Sequence, residues 1–267
     1  MSRARGGERR LTLLVALAHP DDEVGTVAAI LAQRARGDRV VLLWLTRGEM
    51  TAAFGPLRGE EIIRRRMEHG RQAGEILGIE TRFLDFPDTR LVASPEAAAR
   101  VARVIAEIRP DGVLTWGEAW QRGMRHPDHQ ACGQIVRDAV TLARIKRVVE
   151  PLEPHRGFVP VFTYRGLYSR LPCVAVDAAP HREKIRELGR FYMGELEFGD
   201  PDWLDERLRR IGERWGLEYA EEFDAWETEP GLVPSLLPAT PVGLREHPER
   251  RASENRPADG IQRRRGR

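Results

Sequence analysis

The sequence predicts an α/β fold: an open, mostly parallel sheet with helices on both faces. Two observations carry that prediction. Apolar strand-like runs alternate with helix-like segments through the first four strands, and ionisable residues collect just beyond the strand ends, where open parallel sheets build their sites.

The first strand lies in "LTLLVALA", beginning at Leu11, and runs straight into "HPDDE". Arg3, Arg5, Arg9 and Arg10 ahead of this run, with Ala16-Leu17-Ala18 behind it, imitate a signal peptide. Cleavage there would remove the strand and leave His19 at a mobile end, so the run is expected to stay as a strand. Val24 to Arg36 has helical spacing and ends near Gly37, and "DRVVLLWLT" is a second strand of buried residue types. Strand, helix and strand in that order imply a right-handed parallel crossover. An Arg-rich helix from about Arg58 to Leu77, closed by Gly78, leads to the strand "TRFLDF". Pro95 to Ile108 reads as a helix stopped at Pro110, and "DGVLTW" as the fourth strand. The polar loop "GEAWQRGMRHPDHQ" feeds a helix from about Asp128 to Val149. Two more candidate strands, "VFTYRGL" and "CVAVDA", precede helices near Arg182 to Leu196 and Pro201 to Tyr219.

The 267 residues, 41% hydrophobic, suffice for a well-buried core. Residues 1–10 are expected to form an N-terminal extension and 11–228 a single domain, with 229–267 a Pro- and Arg-rich tail, extended or disordered. Basic residues number 43 against 41 acids, so the net charge of +2 gives no reason to expect a nucleic acid or an anionic membrane as main partner. No run of about 18 apolar residues appears, so no membrane span is expected. Cys132 and Cys173 are too few for a disulfide framework and suit a reducing, cytoplasmic setting. Oligomerisation stays open.

Chemistry concentrates in two fragments. Burying the acids of "HPDD" without a partner would be costly, so something should compensate them. His19 and Asp22 are three apart on a Pro-containing turn, and His126 and His129 are three apart where a helix begins. The two segments together can offer nitrogen and oxygen ligands to one ion. Two imidazoles and a carboxylate leave a fourth position open, as in catalytic Zn²⁺ sites, and the same set suits Fe(II). Each fragment alone also reads as a helix cap, with Asp21, Asp22 or Asp128 receiving backbone N–H groups. Arg47 and Glu49 in "TRGEM" belong either to the site or to a solvated turn. Glu118 and Trp120 precede "HPDH", where the ring either stacks on a substrate or packs. His69 is placed on the surface of its helix, Arg64, Arg65 and Arg66 on a solvated face, and His155, His181 and His247 lack a ligand pattern.

"AHPDDE" after an N-terminal strand, with a later "HPDH", resembles the PIG-L or LmbE-like superfamily of zinc-dependent N-acetylglucosaminyl deacetylases. Weaker agreement through "LTRGEM", "RRRMEHGRQAGEILG" and "FLDFPD" extends the resemblance over roughly residues 11 to 225. It implies a Rossmann-like fold and a hydrolase that removes the N-acetyl group from an N-acetylglucosamine-containing small molecule. By motif, His19, Asp22 and His129 match the metal ligands, Asp21 the general base, and His126 the group that stabilises the oxyanion and protonates the amine, tuned by Asp128. Asp88 matches a sugar-contacting Asp after the third strand, and spacing leaves Arg65 or Arg66 for a sugar-contacting Arg, with Arg65 taken. The alternatives are an amidase for a larger acyl or thiol-conjugate amide, a two-metal phosphoesterase, and a non-catalytic sugar-binding protein.

Overall fold

The computed structural model describes residues 9–117, 126–166, 168–196 and 201–242. The chain runs through β1 (Thr12–Leu17), α1 (Val27–Ala35), β2 (Arg39–Thr46), α2 (Glu60–Leu77), β3 (Glu80–Phe86), α3 (Pro95–Ile108) and β4 (Gly112–Thr115). It continues through α4 (Pro127–Leu142), α5 (Lys146–Val149), β5 (Val161–Tyr164), β6 (Cys173–Asp177), α6 (Arg182–Leu196), α7 (Asp202–Trp215), β7 (Ala220–Ala225) and β8 (Gly231–Leu232). A short 3-10 turn, Asp22–Gly25, sits between β1 and α1.

One sheet holds the strands in the order β3-β2-β1-β4-β5-β7-β6-β8. The first five are mutually parallel, and only β7 runs against its neighbours β5 and β6. Helices α3, α4 and α5 pack together on one face, and α1, α2, α6 and α7 on the other. β1 is central, flanked by β2 and β4, and its residues Leu13 to Leu17 are fully buried. That burial is why the strand reads as a continuous apolar run rather than an alternating one.

The order fixes the site. From β1 the chain moves to β2 on one side and later to β4 on the other, so the loops after β1 and β4 part at a topological switch point. His19 to Asp22 follow β1, and His126 to His129 open α4 after β4. Gly133 brings α4 close: a Cβ there would lie 2.3 Å from the Trp116 carbonyl oxygen. A side chain at that position would lift the helix start away from the end of β4.

Three departures from expectation have physical causes. The helix expected from Asp128 to Val149 breaks at Ile145, whose backbone is extended, and the Ala143 carbonyl accepts the His155 N–H at 2.9 Å. Strand β7, "AEEFDA", has no counterpart among the expected strands, and its Glu221 and Asp224 carboxylates are buried against donors. Glu221 accepts the Ala28 and Ala29 N–H groups at the start of α1, both at 2.9 Å, and Asp224 accepts from Arg165 and, at 2.8 Å, from Ser169. Residues 229–242 pack on the domain: β8 pairs with β6, Leu236 and Leu237 are 2% exposed, and Gln33 bonds the Leu237 backbone on both sides. The ordered domain therefore passes the expected boundary at residue 228, while 243–267 lie outside the described residues.

Cys132 and Cys173 are both free, and among the described residues no helix is long and apolar enough to cross a membrane. Burial pushes the Glu221 carboxyl from its ordinary 4.5 up to about 7, against the pull of the backbone amides. Its folded value lies above its unfolded one, so the folded chain keeps a proton that the unfolded chain releases, and stability is lost as pH rises from 4.5 to 7. The melting temperature of the wild type relative to Glu221→Gln should fall between about pH 5 and about pH 8. A pH-independent difference would contradict the burial account.

Candidate active site

The site grows from the end of β1. Asp22 turns back beneath its own strand, its Oδ2 accepting the backbone N–H of Ala18 at 3.0 Å and of His19 at 2.9 Å. The Trp116 indole N–H, at the end of β4, donates to the same oxygen at 2.9 Å. The other oxygen lies 3.1 Å from His129 Nε2, and His19 Nδ1 is 3.7 Å from Oδ2. Burial alone would raise Asp22, but His129 and His19 hold it well below the usual carboxylate range.

His19 is 8% exposed and has carboxylates at both ring nitrogens. Its Nδ1 edge faces Asp22, while Nε2 lies 3.1 Å from Asp88 and 3.2 Å from Asp128. Burial would lower its pKa, yet hydrogen bonds to Asp128, Asp22 and Asp88 push it up to about 12. A neutral imidazole has one N–H and can satisfy only one of these edges. The other edge needs a proton or a metal ion.

Among the described residues two sets of ligand atoms lie within 4.8 Å of one another: His19, His126 and His129, and His19, Asp88 and Asp128. The donor set fits a divalent cation. On the Nε2 side, Asp128 is committed elsewhere, Oδ2 accepting the Thr89 N–H at 2.7 Å and Oδ1 the Leu91 N–H at 3.1 Å. Asp88 similarly takes the Met50 N–H at 2.9 Å and gives its own N–H to Glu49 at 3.0 Å. Glu49 thus lies at the site's edge rather than in a solvated turn. These carboxylates suit the outer role of accepting a ligand histidine's second N–H.

Asp128 acts on His126 through its charge, which raises the imidazole, and through its backbone N–H, while its carboxylate bonds His19 because the start of α4 aims it across the site toward the loop after β3. His126 caps that helix, its Nδ1 accepting the Asp128 N–H at 3.2 Å. A neutral ring then carries its proton on Nε2. Burial, followed by the charges of His19 and His129, lowers His126 and favours this neutral form over the protonated acid expected.

Asp21 sits beside Asp22 in a different environment. Its backbone adopts φ 124°, a conformation rare for side chains with a Cβ, and its carboxylate accepts from Arg66 Nη2 at 2.8 Å. Burial raises it to about 6 although Arg66 pulls the other way. Arg66, not Arg65, reaches Asp21. It is 2% exposed and also donates to the Pro20 carbonyl, and Gly48 makes room, since a Cβ there would stand 2.7 Å from Arg66 Nε. The Arg65 side chain is 47% exposed, paired with Glu195 at 3.0 Å and lying over the Phe54 ring. One helical residue rotates a side chain by about 100°, which separates the two. His69 is likewise buried rather than superficial, beside Glu195 at 3.2 Å and between the Phe54 and Phe191 rings.

Sequence reasoning missed Trp116. Its ring stacks on His129 at 3.8 Å and 7°, and on Tyr164 at 4.3 Å, whose hydroxyl donates to the Asp22 carbonyl at 2.5 Å. The signal was an aromatic at the end of a strand, which ordinary packing also produces. Glu118 and Trp120 lie outside the described residues.

Set against known proteins, residues 14–140 match the PIG-L family, described as GlcNAc-PI de-N-acetylase. The chain is 33% identical over 217 residues to diacetylchitobiose deacetylase of Thermococcus kodakarensis, covering 76% of this chain and 78% of that one. It belongs to the PIG-L family. A second member, 1D-myo-inositol 2-acetamido-2-deoxy-alpha-D-glucopyranoside deacetylase of Nakamurella multipartita, is 32% identical over 176 residues. That match spans 53% of this chain and 59% of the relative, a little over half its length. N,N'-diacetylchitobiose deacetylase from Pyrococcus horikoshii shares the fold, with a TM-score of 0.72 at 24% identity over 80% of this chain and 83% of that one. "AHPDDE", "HPDH" and strands β2, β3 and β4 fall inside the matched PIG-L segment, which begins within β1.

Arg66→Ala should lower turnover on an accepted amide at least about tenfold, and Arg65→Ala should change it less than about threefold; kinetics of the two variants would check the assignment, and the reverse order would refute it. Trp116→Phe, which keeps a ring but removes the donor to Asp22, should weaken divalent-metal affinity roughly 10- to 100-fold in a chelator competition.

Proposed function

We propose that the protein is a zinc-dependent hydrolase that removes the N-acetyl group from an N-acetylglucosamine-containing small molecule, giving acetate and a free amine. One observation carries the reading. Two adjacent carboxylates stand in different environments: Asp22 lies between two imidazoles that hold it ionised, and Asp21 is paired instead with Arg66 at 2.8 Å and raised by burial to about 6. Paired groups whose environments split their pKa values mark a division of labour between ligand and base. Two relatives, named diacetylchitobiose deacetylase and 1D-myo-inositol 2-acetamido-2-deoxy-alpha-D-glucopyranoside deacetylase, support the substrate class.

In this reading His19 through Nδ1, Asp22 and His129 hold the ion, with zinc preferred and Fe(II) compatible with the same donors. When bound, the ion supplies Lewis acidity that polarises the acetyl carbonyl and acidifies water. Asp21 takes a proton from the attacking water. Near pH 7 a carboxylate of this raised basicity is mostly ionised yet a better base than an exposed aspartate. His126, with its proton on Nε2, donates a hydrogen bond to the oxyanion that develops on the acetyl oxygen. The proton gathered by Asp21 is then available to the departing nitrogen, so one carboxyl serves as base and then as acid. Arg66 holds the Asp21 carboxylate in place, and Asp88, expected from the motif to contact the sugar, instead accepts the second N–H of His19. The free cysteines are in keeping with a cytoplasmic enzyme.

The test is acetate release by the zinc-loaded protein from N-acetylglucosaminides of varied aglycone, including N,N'-diacetylchitobiose and the inositol glycoside. Release from any member supports the reading and ranks the aglycones. Silence across the panel, with metal bound, would overturn it in favour of an amidase for a larger acyl group. Asp21→Asn should keep the metal and lose roughly 10²- to 10⁴-fold in kcat, whereas His129→Ala should fail to retain metal by elemental analysis. A fully loaded His129→Ala protein would refute the ligand set.

A further inference from the structure

Asp21 can serve as base only if its carboxylate is aimed, and its backbone resists the required conformation. Asp21 has φ 124° and ψ −22°, a region that side chains with a Cβ rarely adopt. Such a backbone persists only where its surroundings over-determine it. The Asp21 N–H ends 3.0 Å from Glu23 Oε2.

Glu23 is fully buried. Its side chain reaches back past its own turn, and Oε2 also accepts the Trp44 indole N–H, from β2, at 3.1 Å. Oε1 accepts the Tyr192 hydroxyl, from α6, at 2.5 Å. Three donors from the catalytic turn, the central sheet and a helix therefore converge on one carboxyl. None of them is a metal ligand, and Glu23 has no hydrogen bond with Asp22, His19 or His129 among the contacts seen. The arrangement does not serve the cation. It ties the peptide of Asp21 to two bulky, immobile rings: Trp44 is fully buried, packed on Phe83 at 4.7 Å, and Tyr192 is fully buried against Phe191.

We propose that Glu23 is a positioning residue, which holds Asp21 in its strained conformation by accepting the Asp21 N–H from an anchor formed by Trp44 and Tyr192. The proposal rests on Asp21 acting as the base. Glu23 touches no reacting atom and moves no proton; it acts as an acceptor. Glutamine keeps that ability, because its side-chain oxygen can take the Asp21 and Trp44 donors while its amide group faces the Tyr192 oxygen, which can accept. Alanine removes the acceptor altogether.

The test is a double-mutant cycle on the zinc-loaded enzyme, with an N-acetylglucosaminide that it hydrolyses. Glu23→Ala should lower kcat about 10- to 100-fold with KM and metal content unchanged, and should change kcat less than about threefold in an Asp21→Asn background. Glu23→Gln should retain at least about a tenth of native kcat. Amide hydrogen exchange gives a readout independent of turnover: the Asp21 N–H should be protected in the wild type and in Glu23→Gln, and exposed in Glu23→Ala. Equal losses from Glu23→Ala in both backgrounds would show general structural damage and overturn the proposal. If Glu23→Ala does not fold, Glu23→Gln decides alone, since its loss of activity or of Asp21 protection would refute the acceptor role. Native turnover in Asp21→Asn would instead remove the base itself, a failure visible in the single variant before Glu23 is altered.

Discussion

A single imidazole with carboxylates at both of its nitrogens is the constraint around which this site is arranged. His19 cannot meet Asp22 on one edge and Asp88 and Asp128 on the other as a neutral ring alone, because one of those edges would set lone pair against lone pair. The conflict is resolved if the two edges have different work. In the proposed reading Nε2–H is taken by Asp128 and Asp88, which also accept backbone amides, and Nδ1 would be left with Asp22 and His129 for a cation. The fold serves that division, since the switch point between β1 and β4 brings the two histidine segments together and the loop after β3 supplies the outer carboxylate and the amides.

Holding such a site has a conformational cost that falls locally. Among the described residues three non-glycine residues have positive φ, and two of them, Asp21 and Thr89, belong to the site. Thr89 is β-branched, for which φ 67° is a genuine outlier, and its N–H is one of those that fix Asp128. Asp21 is held by Arg66 at its carboxylate and by Glu23 at its amide. Strain of this kind, over-determined by buried partners, keeps a charged group in a geometry that solvent would otherwise relax.

Much of this was legible in the sequence. Apolar runs long enough to be buried strands, ending in His and Asp, indicated both the parallel sheet and the edge where chemistry occurs. The limits were those of one-dimensional information. Arg65 and Arg66 differ by a rotation about a helix axis, which a charged face with three consecutive arginines does not define. β7 was hidden because its acids are neutralised by partners far away in sequence, Glu221 by the start of α1 and Asp224 by Arg165. Leu236 and Leu237 lie in a Pro-rich stretch without periodicity, so their burial comes from contact with Gln33 and the core rather than from local pattern. The partner of Asp128 could not be read because a carboxylate at a helix start can face the cap or the site, and here tertiary packing chooses the site.

Anomalous X-ray scattering at the zinc edge, from crystals of the zinc-loaded protein, tests the division of His19 most directly. The account predicts one peak, about 2.0–2.2 Å from His19 Nδ1, an Asp22 oxygen and His129 Nε2. A peak on the Nε2 side between Asp88 and Asp128, or a second peak there, would contradict it.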